Sequence, residues 1–334
     1  MGEAMANAQQ TATQRFRIAP VGRPDRSAPV LRPGAFRPGP LLGDIERMSR
    51  PGETLSDEDV LSLLVKYFHA YIYPGSEAHA VSLGEISELF WRFCGMWWEG
   101  TTDRPDDLGL RGTTGYALRM LADLPKTGHI FRSIAGRPAM PVDVSGGYAG
   151  LDLGTGTGIL LLAAYLQARR LGAGRLDLLG VEYDTVVAER TGLLLGRMGV
   201  GQVLAADARA AVSYIGKMQG DITFVANETI PAMNQRMQSE HFSAIHASLF
   251  EAAAARLRQT VFFPEVLVAV EPKSDASVVL SRQNRFQVPK YYRTVNVYPR
   301  AVIVEGRLTA LTRLGKDFPR LIPPQVRRFL PRRW

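Results

Sequence analysis

The chain has 334 residues, 46% of them hydrophobic and 22% charged, and carries a formal net charge of +8; that length suits two domains, or one domain with a large appendage, around a sizeable core. A single cysteine, Cys94, excludes a disulfide framework, and the five histidines, His69, His79, His129, His241 and His246, lack metal-ligand spacing, so no metal is expected. No apolar run reaches the roughly eighteen residues of a membrane span and no signal-peptide core opens the chain, which makes a reducing cytoplasm the expected location.

Residues 1–40 repeat Pro, Gly and Arg without periodicity and read as a disordered tail. The positive excess sits at the ends: residues 1–50 carry 8 basic and 4 acidic side chains, residues 301–334 carry 8 and 2, and the 250 between carry 24 and 26. The ends, with Arg327-Arg328 and Pro331-Arg-Arg-Trp334, read as solvated tails; weak contact with nucleic acid or an anionic surface is the alternative. Ser56-Asp-Glu-Asp59 is a capping-box pattern, followed by Val60, Leu64, Tyr67, Phe68 and Tyr71 at helical spacing, with Pro74-Gly75 as the stop. A second helix is predicted over Ser82–Trp98, and shorter ones near 113–123 and 127–135, making residues 41–145 a helical cap or lid. Its aromatic segment Phe90–Trp98 either packs between helices or lines a substrate pocket.

Gly150-Leu-Asp-Leu-Gly-Thr-Gly-Thr-Gly-Ile-Leu160 is an apolar strand closed by an acid, three glycines at alternate positions, and the start of an apolar helix. Glycines let backbone approach a ligand with no Cβ in the way, and the helix start offers unpaired N–H groups. A dinucleotide loop would need G-x-G-x-x-G, and its third glycine would fall at Ile159. Leu176–Glu182 reads as a second buried strand ending in an acid, spaced to accept ribose hydroxyls. Gln202-Val-Leu-Ala-Ala-Asp207 reads as a third. Each acid would also serve as a helix cap. In this βαβαβ rhythm Asp152, Gly154, Thr155, Gly156 and Gly158 resemble motif I of class I S-adenosylmethionine (SAM)-dependent methyltransferases. The resemblance implies SAM as cofactor, with Glu182 on the ribose, Tyr183 against the adenine, and Asp207 with Ala208 at the adenine amino group.

The fourth strand is expected at Asp221–Ala226, followed by Asn227-Glu228-Thr-Ile-Pro231, a long helix to about Arg258, and a fifth strand near Val261–Val270. Ala276–Leu280, Thr294–Tyr298 and Ala301–Val304 are expected to add antiparallel strands to the sheet. The expected fold is therefore α/β: a Rossmann-like class I methyltransferase sheet with antiparallel C-terminal strands over 146–310, preceded by the helical cap and followed by a basic tail at 311–334. Over about residues 119–271 the chain also resembles the protein arginine methyltransferases, in Met120–Thr127, in the Asn227-Glu228 loop with Glu240 beyond it, and in Val261–Glu271. It departs from them at Asn227 for serine, at Thr229 for tryptophan, at Lys126 for the arginine that holds the SAM carboxylate, and in the twelve-residue spacing of the glutamates.

Methyl transfer from a sulfonium needs mainly alignment and exclusion of water; a base matters only if the nucleophile must lose a proton first. The resemblance gives Glu228, Glu240 and Asn227 as the catalytic candidates. Glu228 would orient or deprotonate a nucleophile, or else be an N-terminal acid of the following helix; Glu240 would share that work or be solvated; Asn227 would bind substrate or end the strand. The expected function is methyl transfer to a nitrogen nucleophile on a small molecule or protein side chain. Transfer or cyclisation of the aminocarboxypropyl arm of SAM, RNA methylation, and a non-catalytic scaffold of the same fold remain as alternatives.

Overall fold

The computed structural model describes residues 39–73, 81–86, 88–89, 112–227, 229, 238–263, 266–272, 277–279, 285–287, 294–297 and 306–313. Among the described residues, α1 (Gly39–Met48), α2 (Asp57–Ile72), α3 (Gly112–Ala122) and α4 (Leu124–Ala135) precede the sheet. Ser56 caps α2 as expected, its side chain accepting from Asp59 N, while Asp57, Glu58 and Asp59 place negative charge in the first turn. The buried stripe of α2 is Val60, Leu63, Leu64, Tyr67, Phe68, Tyr71 and Ile72. α4 starts earlier than the predicted residue 127, because Asp123 accepts from Lys126 N and Pro125 suits the first turn. Residues 83–86 and 88–89 are helical, and the aromatic segment Phe90–Trp98 lies outside the described residues.

The sheet follows in strand–helix alternation. β1 (Tyr148–Leu153) leads to α5 (Ile159–Arg170), β2 (Leu176–Glu182) to α6 (Thr185–Arg197), β3 (Gln202–Ala205) to the single turn α7 (Val212–Ile215), and β4 (Phe224–Asn227) to α8 (Gln238–Ala253) and then β5 (Val261–Phe263). These strands form one parallel sheet in the order β3-β2-β1-β4-β5, so the order reverses between β1 and β4. Asp152 lies opposite Gly180 on one side and Ala226 on the other.

Strand residues alternate between two cores. Tyr148, Leu178, Phe224 and Val261 join α5 on one face, whereas Ala149, Leu179, Val225 and Phe262 join Tyr214, Ile245 and Leu249 on the other. The N-terminal helices belong to the first core: Leu41, Leu63, Phe68, Leu118 and Phe131 are buried in one cluster with Leu161 and Leu162 of α5. Polar ties reinforce the join. Arg132 pairs with Asp57, and Arg170 of α5 donates to Met48 O at 3.0 Å and to Glu53 O.

The expected antiparallel extension of the sheet is corrected. The five strands are parallel throughout, and the later strands pair with one another. β6 (Val266–Pro272) runs antiparallel between β9 (Thr294–Val297) and β10 (Gly306–Arg313), and β7 (Ser277–Val279) pairs with β8 (Arg285–Gln287). The apolar run Val261–Val270, predicted as one strand, is thus shared between two sheets, because hydrophobicity alone carries no signal for a change of sheet. Ala301–Val304 lies outside the described residues, and β10 falls where the sequence predicts no strand.

Candidate functional site

The loop after β1 turns on Gly154, Gly156 and Gly158, with φ of 71, 53 and 78°. Residues with a Cβ avoid this left-handed region. A Cβ on Gly158 would stand 2.7 Å from Thr191 Cγ2 and 2.8 Å from Leu195 Cδ1, so this glycine lets the loop sit down on α6. At Gly156 the nearest atom would be Ala117 Cβ of α3, 3.5 Å away, so the middle of the loop has room. The loop is held from below: Gly154 N and Thr155 N donate to Val181 O at 2.8 and 3.1 Å, and Thr155 Oγ1 donates to Asp152 O at 2.8 Å. Gly180 permits this, since a Cβ there would stand 2.5 Å from Thr155 Oγ1. α5 then begins with Gly158 as its N-cap, which has no side chain to engage the first-turn N–H groups.

The strand-end acids take different partners. Asp152 is buried at 1% exposure beneath the loop. Glu182 accepts from Gly156 N through Oε2 at 2.9 Å and from Asp184 N through Oε1 at 3.0 Å. Tyr183 beside it is 75% exposed. Asp207 instead faces Arg209: its Oδ1 accepts from Arg209 N and Nε, both at 2.9 Å, and its Oδ2 from Nη2 at 2.5 Å. That pairing raises the Arg209 guanidinium pKa, chiefly through the hydrogen bond with Asp207, and the Tyr183 hydroxyl adds a smaller effect of the same sign. The Ala208 carbonyl accepts from the Tyr214 hydroxyl at 2.8 Å.

At the end of β4, Asn227 is fully buried. Its Nδ2 lies 2.8 Å from His246 Nδ1 on α8, and its Oδ1 accepts from Thr229 N at 3.1 Å and Thr229 Oγ1 at 2.5 Å. An amide nitrogen only donates, so this orientation of Asn227 makes His246 Nδ1 the acceptor and puts the ring proton on Nε2. Glu228, between these anchored residues, lies outside the described residues. Glu240 falls in the first turn of α8. Lys126 sits in the first turn of α4, with its Nζ 3.9 Å from Met120 Sδ of α3.

No family model matches the chain, and no curated protein is significantly similar to it. Two methyltransferase structures are similar to it. One, "Crystal structure of PRMT6", matches with a TM-score of 0.35 and 16% identity over 59% of this chain and 64% of that one. The other, "Structure of the Mitomycin 7-O-methyltransferase MmcR", matches with a TM-score of 0.33 and 12% identity over 67% of this chain and 60% of that one. The chain thus spans less than two thirds of the length of either.

The structure adds residues that the sequence reading leaves in the apolar stripe of α2. The Tyr67 hydroxyl donates to Thr157 O at 2.5 Å, and the Tyr71 hydroxyl meets Thr191 Oγ1 at 3.0 Å, itself a donor to Gly156 O at 2.6 Å. Arg190 of α6 donates to Tyr71 O and Ile72 O at 2.9 and 3.1 Å, which fastens the end of α2. A buried tyrosine hydroxyl needs a partner, and that need is the one signal in the sequence. Among the described residues no group of His, Cys, Asp and Glu is placed to hold a metal, and no helix is long and apolar enough to cross a membrane. A groove of about 930 Å³ lies at the opposite, amino-terminal end of the strands, lined by Tyr148, Ala149, Arg175, Ile222, Thr223 and Arg258 among others. It contains none of the loop or strand-end acids.

Proposed function

We propose that the chain binds SAM at the carboxyl ends of β1, β2 and β4 and transfers its methyl group directly to a nucleophile, with nitrogen favoured, on a small molecule or protein side chain. The observation that carries this reading is the hydrogen bond from Gly156 N to Glu182 Oε2. It ties the middle glycine of the loop to the acid of the next strand, so that the two form one cradle. A carboxylate has about four lone-pair sites, and the two amides on Glu182 leave sites for a pair of vicinal hydroxyls. Tyr183 offers an exposed ring beside it for a purine. Open sheets of this order hold ligands beyond their carboxyl ends, at the reversal point; the cradle lies at the carboxyl ends of β1 and β2, and β1 borders that point.

The fit is uneven. The cradle, Asp152 and Tyr183 suit an adenosyl sulfonium. Asp207 is committed to Arg209, so a role at the adenine amino group requires that pair to open. Lys126 would approach the cofactor carboxylate only by leaving Met120. When bound, SAM supplies a methyl group already activated by the positive sulfur. The chain's own residues align the acceptor and exclude water, and such orientation lowers a barrier by roughly 7–11 kcal/mol. Asn227, gripped by His246 and Thr229, serves in this reading as a structural anchor at the end of β4 rather than as a substrate contact. Glu228 and Glu240 would orient the nucleophile and accept its proton. The helices of 41–145 would wall the acceptor pocket.

The test is product analysis after incubation with SAM and panels of amines, phenols and peptides. Formation of S-adenosylhomocysteine with a methylated acceptor, suppressed at least tenfold by Glu228→Gln, is expected. Release of methylthioadenosine would instead assign transfer of the aminocarboxypropyl arm.

A further inference from the structure

Resting on that reading of the nucleotide site, we infer that Tyr67 and Tyr71 of α2 are positioning residues for it: their hydroxyls set the peptide planes of the glycine loop that receives the cofactor. Neither tyrosine needs to touch the ligand. Tyr67 holds Thr157 O directly, and Tyr71 holds Gly156 O through Thr191. The direction of the relay follows from donor counting. The single Thr191 hydroxyl proton is given to the Gly156 carbonyl, so the Thr191 oxygen must accept from Tyr71.

The consequence lies in peptide geometry. In a planar trans peptide the C=O and the next N–H point in opposite directions. Drawing the carbonyl of Gly156 towards α2 and α6 turns the N–H of Thr157 away from them. Drawing the carbonyl of Thr157 towards Tyr67 turns the N–H of Gly158 inwards, where it donates to Thr155 O at 2.8 Å. Two consecutive peptides of a glycine-rich segment are thereby held at their carbonyls.

Two buried tyrosines could simply be satisfying themselves within a core, since any carbonyl would do. Three features argue for more. Both bonds converge on adjacent peptides of one loop, across 90 and 120 residues of sequence including the threonine relay. The helix that carries them is fixed at its start by Ser56 and at its end by Arg190. Both hydroxyls also sense the acids of the site. Burial dominates the raised pKa of each, but Asp152 adds to it for Tyr67, and Glu182 adds to it for Tyr71. The glycine loop of β1 is therefore completed by a helix that precedes the strand by some seventy-five residues, and docking of α2 is linked to nucleotide binding.

The test compares Tyr67→Phe with Tyr148→Phe in the full chain. Tyr148 is an equally buried hydroxyl on β1 that donates to Gln167 at 2.8 Å, away from the loop. Hydrogen exchange of the 154–158 amides is read without ligand, and the S-adenosylhomocysteine affinity is read by calorimetry. Tyr67→Phe is expected to speed exchange of the loop, and to weaken binding, by about tenfold. Tyr148→Phe is expected to lower the melting temperature comparably and leave both readouts as in the parent. Thr191→Val, which keeps shape and removes the relay hydroxyl, should behave like Tyr67→Phe, and Thr191→Ser should restore the parent values. Loop exchange that responds equally to Tyr67→Phe and Tyr148→Phe, or an affinity that Tyr67→Phe leaves intact, would overturn the inference. A parent chain that binds neither SAM nor its product would remove the nucleotide reading itself, while the exchange comparison would still decide whether Tyr67 braces the loop.

Discussion

Asp184 caps α6: its Oδ1 accepts from Val186 N and Val187 N at 2.9 and 3.0 Å. Glu182 is therefore not needed as the helix cap, and it spends its oxygens on the glycine loop and the turn between them. The sequence alone leaves both readings open for each strand-end acid, because caps and ribose acceptors are the same residue types at the same strand ends. Asp207 goes the other way, closing its own turn on Arg209. The two acids should respond differently to neutralisation. Glu182→Gln keeps an oxygen for Gly156 N but loses the charge-assisted bonds, which are worth roughly 1.5–3 kcal/mol each. Calorimetry should show S-adenosylhomocysteine affinity reduced tenfold or more, with a lower melting temperature because one of the two backbone N–H groups loses its acceptor. Asp207→Asn should cost under about threefold, and a larger loss would return Asp207 to the purine. A pH effect follows from Tyr71, whose pKa burial pushes up to about 12 in the fold, against about 10 in an unfolded chain. A raised folded pKa contributes stability that is complete below pH 10 and lost as pH rises towards 12. Denaturant midpoints measured across that window should fall, and Tyr71→Phe should flatten part of the slope.

At the scale of elements, β1, β2 and β3 were readable because each is a short apolar run closed by an acid or glycine, and α2 because Ser56 and the helical spacing agree. What the sequence could not convey were pairings decided at a distance. Val261–Val270 is uniformly apolar, yet its first residues pair with β4 and its later ones with β9 and β10. The tyrosine contacts to the glycine loop were hidden for the same reason, since periodicity placed Tyr67 and Tyr71 in the core without saying what their hydroxyls meet. The glycines flanking α5 show how local sequence divides by context. Gly172 has φ of 72° and nothing within 4 Å of an added Cβ, whereas Gly158 combines φ of 78° with contacts under 3 Å. Gly172→Ala should cost about 1–2 kcal/mol, the left-handed strain alone. Gly158→Ala should cost that plus about 1–3 kcal/mol of overpacking. Equal destabilisation in urea titrations would mean that the loop does not rest on α6.

For the molecule as a whole, the N-terminal helices are part of the wall that covers one face of the sheet. Leu41, Ile45 and Met48 of α1 are 2, 4 and 1% exposed in the same core as α5, and burying each contributes roughly 1.5–3 kcal/mol. A chain beginning at Arg50 should therefore melt more than about 5 °C below one beginning at Gly39; equal melting temperatures would show that α1 adds nothing to that core. The central claim is that glycine loop, strand-end acids and bracing helix together make a nucleotide site. Calorimetric titration of the full chain with S-adenosylhomocysteine tests it most directly. One-to-one binding in the micromolar range, abolished by Glu182→Ala, is the expected result. An absence of heat and of thermal stabilisation with either S-adenosylhomocysteine or SAM would contradict it.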